Sequence, residues 1–197
     1  MAVWQYTEGA GYYYGHMGAA ANNSQNIKNY LESEGLTPEA IVGIIANMDH
    51  ESYLNPAQGE HDKNMSMRYG YGLVMWTPAE DKIVSYAADH GVPWYDGDTQ
   101  MDYLMISVPA SWIKSSAYPY TWDEYKQLTD YNLATRVFFY NFERGTWHNE
   151  LDTYTDYWAN TLYGDTPPTP DPPLPPTPND EDFMALFLCI FESVLKR

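Results

Sequence analysis

The chain has 197 residues, with 27 Asp and Glu against 10 Lys and Arg, for a net charge of −17. Phosphate neutralisation needs clustered cations, so this balance argues against nucleic-acid binding and against electrostatic capture on an anionic surface. The one cysteine, Cys189, excludes an internal disulfide framework, while 19 Tyr and 7 Trp supply aromatic surface for a core or for a flat partner such as a sugar ring.

In chain order, residues 1–23 mix glycines with tyrosines without a period and read as an N-terminal arm, ordered on a partner. No apolar run of signal-peptide length opens the chain, which predicts action in the cytosol or exit by a route other than ordinary secretion. A first helix is expected from Ser24 to Gly35. The second has sharper signals: Thr37 as N-cap and Pro38 in the first helical position, where a missing N–H costs nothing. It should end near Ser52, ahead of Asn55–Pro56. Residues 53–72 read as loop and short extended structure, closing in "RYGYGLVMWTP". Thr77-Pro78-Ala79-Glu80 fits a capping box that opens a helix ended by Gly91, and Asp98 should cap a short helix through Met105. Thr121-Trp122-Asp123-Glu124 is a second capping box. A helix from about Leu133 to Glu143 should turn Leu133, Val137, Phe138 and Tyr140 inward, and a last one should cover Glu150 to Leu162, stopped by Gly164.

Beyond that point the composition changes. Residues 165–180 hold eight of the 14 prolines and predict an extended spacer. Residues 181–197 are apolar nearly all round between Phe183 and Leu195. At 1.5 Å per residue this segment reaches only about 20–25 Å, short of a bilayer core of roughly 30 Å. It predicts a helix that contacts a membrane over 183–195, or one that packs into another protein or its own copies. The expected fold class is therefore mainly α (α+β). A helical domain over 24–164, with a short β/loop region, precedes the proline-rich linker and the apolar C-terminal helix.

The residue that asks for a function is Glu51. In "IVGIIANMDHESYLNP" it follows Met48 by three positions and Ile44 by seven, so it continues an apolar stripe from which Asp49 and His50 point away. Burial and the negative end of a helix dipole both disfavour an ionised carboxyl, and a carboxyl that keeps its proton near neutral pH is what a general acid requires. Glycosidases use such a group to protonate the leaving oxygen of a sugar–sugar bond. A structural ion pair with Arg68, Arg136 or Arg144 would explain the same placement.

"HESYLNP", then "YGYGLVMWTP" about twenty residues on, then "NLATRVFFYNFERG" some sixty further, stand in the order of motifs in lysozyme-like and lytic-transglycosylase-like domains. The set resembles the phage tail lysozyme family, the murein-degrading domains at the tips of phage tails, over roughly residues 24–164. The resemblance implies that Glu51 is the acid acting on the bond between N-acetylmuramic acid and N-acetylglucosamine. It implies that Ser52 orients the neighbouring carboxyl or backbone, and that Gly70, Gly72, Leu73 and Trp76 form one wall of a sugar groove. Tyr140 would face the acid across it. The glycines would let a sugar approach the backbone. One position departs from the pattern: related enzymes carry glutamine where this chain has Met75, and a thioether cannot hold an acetamido group as an amide can.

A second carboxylate, which would activate water or stabilise an oxocarbenium-like charge, has three candidates: Glu60 and Asp62 in the loop after the acid, and Glu143. His50 and His61 with Asp49 and Asp62 sketch a metal site, but no helical spacing joins two histidines; no metal and no cofactor is expected. The functional expectation is a phage-borne peptidoglycan glycosidase, carried on the virion and acting on the host wall. Its partners would be glycan strands and, through residues 181–197, other tail proteins or its own copies. The alternatives are an endolysin acting at lysis and a non-enzymatic tail or assembly protein that keeps the fold.

Overall fold

A computed structural model describes residues 3–6, 19–59 and 69–164. The described part is mainly helical. Helix α1 spans Ala19–Ser33, α2 Pro38–Ser52, α3 Ser85–Asp89, α4 Gly97–Ser111, α5 Trp122–Tyr125, α6 Tyr131–Phe138 and α7 Glu150–Tyr163. Two π-type turns interrupt the set: π1, Glu80–Val84, leads into α3, and π2, Phe139–Glu143, continues α6. The β content among the described residues is two isolated bridges, Gly59 to Tyr71 and Tyr71 to Trp76. No helix among the described residues is long and apolar enough to cross a membrane. The linker at 165–180 and the apolar segment at 181–197 lie outside the described residues.

Helix α2 is the axis of the fold. Thr37 caps it as its sequence predicts, the side chain accepting from Ala40 N, with Pro38 in the first turn. Every residue from Ala40 to Asp49 is buried, because α1, α6 and α7 all pack on it. The one-sided stripe was thus too narrow an expectation: Asp49, 6% exposed, does not point to solvent but accepts from Trp158 Nε1 at 2.9 Å. Gly43 lets α6 approach, since a Cβ there would stand 2.8 Å from the Ala134 carbonyl carbon. A polar seam follows this contact. Asn47 Nδ2 donates to Gly43 O and Thr135 O, and the Thr135 and Thr155 hydroxyls lie 2.8 Å apart. Such buried groups fix one register between helices, because slipping would leave them unpaired.

Other boundaries moved. Helix α1 begins at Ala19, five residues before the expected start. Thr77 does not cap a helix; its hydroxyl donates back to Met75 O, and the chain kinks at Lys82, whose φ of −123° and ψ of −109° are not helical. Asp96, not Asp98, caps α4 by accepting from Thr99 N. Asp98 instead accepts from Trp4 Nε1 at 2.7 Å, with the Trp4 ring lying over Gly97. At least residues 3–6 of the expected arm therefore dock on the domain itself. Helix α4 also runs well past Met105. The Thr121 capping box forms with both of its arms.

Candidate active site

The C-terminus of α2 is turned out sharply by two consecutive left-handed residues, Tyr53 at φ 57° and Leu54 at φ 56°. Non-glycine residues hold such angles at a cost of about 1 kcal/mol or more each, so packing must impose them. Leu54 is fully buried and supplies that packing. The result leaves Glu51 half-buried on the last turn of α2, at the edge of a cleft of about 810 Å³.

Four segments wall this cleft: the end of α2 with Gln58 and Gly59, the turn Val74–Thr77 with Lys82, the face of α4 carrying Tyr103, Ile106 and Ser107, and Phe142–Arg144 followed by His148 and Glu150. The 71–76 turn is fixed by its backbone. Gln100, fully buried on α4, accepts from Leu73 N at 2.8 Å and donates to Pro56 O and Trp94 O, so one amide clasps three loops. The Ser52 hydroxyl lies 2.9 Å from Met48 O and 2.8 Å from Leu73 O, donating between them, which ties α2 to the same turn.

These contacts change the meaning of several predicted positions. Ser52 and Leu73 are fully buried and shape the wall from behind, without lining the cleft. Gly72 has φ +87°, and a Cβ on it would meet Gln100 Oε1 at 2.8 Å and the Trp76 ring at 3.0 Å. Its missing side chain makes room for Gln100 and Trp76, not for a sugar. Gly70 is similar, since a Cβ there would stand 2.9 Å from Met75 O. Trp76 lines the cleft but is only 4% exposed, its Nε1–H donating to Ser107 Oγ at 3.1 Å. Tyr140 is not at the cleft: its ring stacks on Tyr118 at 5.1 Å and on Trp147 at 6.0 Å, and the residues of π2 that reach the cleft are Phe142 and Glu143. A widened helical turn explains the shift, since it rotates the residues after Phe139 relative to a regular helix. The half-buried Tyr and Phe residues that line the furrow are Tyr53, Tyr103 and Phe142, none of them singled out by the sequence.

Glu60 and Asp62 lie outside the described residues, as does Arg68. Glu143, the third candidate, is brought to the same cleft as Glu51. Its Oε1 is buried and has no hydrogen-bond partner among the described residues. Burial first, and then the charge of Glu51, push the Glu143 carboxyl well above the usual carboxylate range, with the Arg144 cation opposing. A negative charge on Glu51 thus makes ionisation of Glu143 costlier still. Of the arginines that could have clamped Glu51, Arg136 pairs with Asp152 at 2.9 Å and lies over the Trp147 ring, while Arg144 stands against Glu143. At the rim, the His50 and His148 rings lie 4.9 Å apart. Burial and the neighbouring His148 lower the His50 pKa, with Glu150 pulling the other way. Among the described residues, no group of three or more His, Cys, Asp or Glu is placed to hold a metal ion.

The family model described as phage tail lysozyme matches residues 22–164, nearly the whole described domain. The chain belongs to the phage tail lysozyme family. Over 147 residues it is also 33% identical to "Morphogenesis protein 1" of Bacillus phage B103, a match that takes in 72% of this chain. The same match covers 40% of that relative, so the chain spans well under half of the relative's length. As a tail lysozyme domain, it has its cleft at the C-terminal end of its central helix, with Glu51 and Glu143 at hand.

Proposed function

We propose that this tail lysozyme domain cleaves the β-1,4 bond between N-acetylmuramic acid and N-acetylglucosamine in peptidoglycan, with Glu51 as general acid. The observation that carries the reading is the pair of carboxyls, Glu51 and Glu143, at one open cleft on separate elements. Two acids that are costly to ionise together keep a proton at hand for transfer. Glu51, the member on the cleft edge, delivers that proton to the glycosidic oxygen. Glu143 takes the role of second carboxyl, countering the positive charge that develops on the sugar once the pair has given up its proton. Ser52 and Gly72 position the wall through the backbone, and Tyr53 and Tyr103 offer ring faces to the sugars.

The domain would act as part of a virion. The relative's name, a morphogenesis protein, supports a place in the particle over an endolysin acting only at lysis. An acidic enzyme suits tethered delivery, because a protein fixed to a virion needs no long-range attraction to an anionic wall. Residues 181–197 would join it to other tail proteins or to its own copies. The same name also supports a non-enzymatic assembly module, and the test separates the two. Purified cell walls incubated with the protein should release reducing ends, and Glu51→Gln should release none. Mass spectrometry of the muropeptides would report the bond cut and whether water or the sugar's own 6-hydroxyl closes the reaction. A wild-type protein that releases nothing would leave the assembly reading standing.

A further inference from the structure

The described part of this acidic chain carries six Lys and Arg residues, and most are neutralised locally. Lys28 pairs with Glu32 at 2.7 Å, Lys126 with Asp123 at 2.8 Å and Arg136 with Asp152 at 2.9 Å. Lys114 sits near Glu124, whose carboxyl is kept ionised by the Thr121 backbone and hydroxyl first and by this cation last. The two that remain, Lys82 and Arg144, both line the cleft and form no salt bridge among the described residues.

Both stand at irregular backbone. Lys82 is the residue at which π1 kinks, and Arg144 closes π2 with a left-handed φ of 61°. Lys82 Nζ donates to Thr77 O at 2.5 Å, which uses one of three ammonium donors and fixes the group at the cleft. Arg144 stands beside Glu143, yet the two side chains form no salt bridge among the described residues. Two cations on separate walls, neither of them in a salt bridge among the described residues, would be a poor use of charge if the ligand were a neutral glycan. A ligand that carries its own anions would neutralise them, and in a protein of net charge −17 it would need such local cations to approach at all.

We infer that Lys82 and Arg144 bind carboxylates borne by the glycan strand, so that the cleft selects a carboxylate-substituted strand over a bare one. This rests on the glycosidase reading of the same cleft and names its substrate class more narrowly. Arg144 supplies planar, two-pronged hydrogen bonding and Lys82 a point charge, an arrangement suited to carboxylates at two places along a strand.

The test is binding of soluble strands to the Glu51→Gln protein by calorimetry, with three ligands: native peptidoglycan strands, the same strands with carboxylates amidated, and neutral N-acetylglucosamine oligomers. Native strands should bind about tenfold or more tightly than amidated ones, and the preference should shrink as salt is raised. Lys82→Gln with Arg144→Gln should erase the preference, and Lys82→Arg should retain it. Equal affinity for native and amidated strands would overturn the inference, as would a preference that survives loss of both cations. A preference seen only with walls that still carry phosphate polymers, and absent with purified strands, would also overturn it. Cleavage by wild type without any such preference would remove this inference and leave the glycosidase reading intact, whereas preference without cleavage would do the reverse.

Discussion

At π1 the chain leaves helical geometry altogether at Lys82, whereas π2 stays helical, widens by one residue per turn, and closes on Arg144. The first has only Ile83 buried; the second buries Phe139 and Asn141 and carries the Oε1 of Glu143, which has no hydrogen-bond partner among the described residues. Each is closed by a bond spanning five residues, Val84 N to Ala79 O at 3.0 Å and Arg144 N to Phe139 O at 2.7 Å. A break thus sets a cation at the solvent side of the cleft, and a widening sets a carboxyl inside it. Irregular turns of this kind concentrate at functional sites because they re-aim a side chain without dismantling the helix around it.

The comparison breaks most visibly at the acid that the π2 carboxyl is coupled to. Glu51→Gln should lower turnover on cell walls by about 10³-fold, since a positioned general acid contributes 10²–10⁴. Its melting temperature should be unchanged or higher, because an ionisable group leaves a partly buried site. A variant that unfolds would make Glu51 a structural group. Glu143→Gln should cost about 10²-fold in turnover and narrow the pH range of activity. Its stability effect has a definite sign. Raised above 4.5 in the folded state, Glu143 holds a proton that the unfolded chain releases, so it destabilises the fold increasingly as pH rises beyond 4.5. The glutamine variant should therefore gain stability at neutral pH over wild type and lose that gain below about pH 4.5, as urea midpoints would report.

The opposite wall is tested without touching any ionisable group. Gln100→Leu would strand Leu73 N, Pro56 O and Trp94 O, and should cost about 3 kcal/mol or more in chemical denaturation. If activity falls while the melting curve does not, Gln100 is acting on the cleft in another way. The smallest expected effect is at the rim. His50 is held below 6.5, so the unfolded chain binds its proton first and stability declines as pH falls through that value. His50→Asn should flatten this decline, by less than the glutamate effect because the ring is only half-buried.

How much of this was legible follows the range of the signal. Thr37–Pro38 and Thr121–Glu124 are local hydrogen-bonding patterns, and both helix starts form where they were expected. Asp96 and Asp98 are chemically equivalent caps two residues apart. Only the tertiary contact with Trp4 decides between them, and no window of sequence contains it. Thr77-Pro78-Ala79-Glu80 has the letters of a capping box, yet the Thr77 hydroxyl turns back to Met75 O. The π turns have no compositional mark, so Tyr140 was expected at a cleft that Phe142 and Glu143 reach instead. Glu51 could be singled out because helical periodicity places it relative to its own neighbours. Its companion could not be selected among three candidates, because pairing residues 92 positions apart is a property of how α2 and α6 cross.

Gln100 grips main-chain atoms only. The side chains at 56, 73 and 94 are irrelevant to that grip, and so is the side chain of Met75, which shares the strapped turn through its backbone alone. Such a scaffold tolerates exchange of the groups that face the furrow while the furrow itself keeps its outline. A lineage of these proteins could therefore alter what its furrow accepts, residue by residue, without first having to rebuild the frame that presents it.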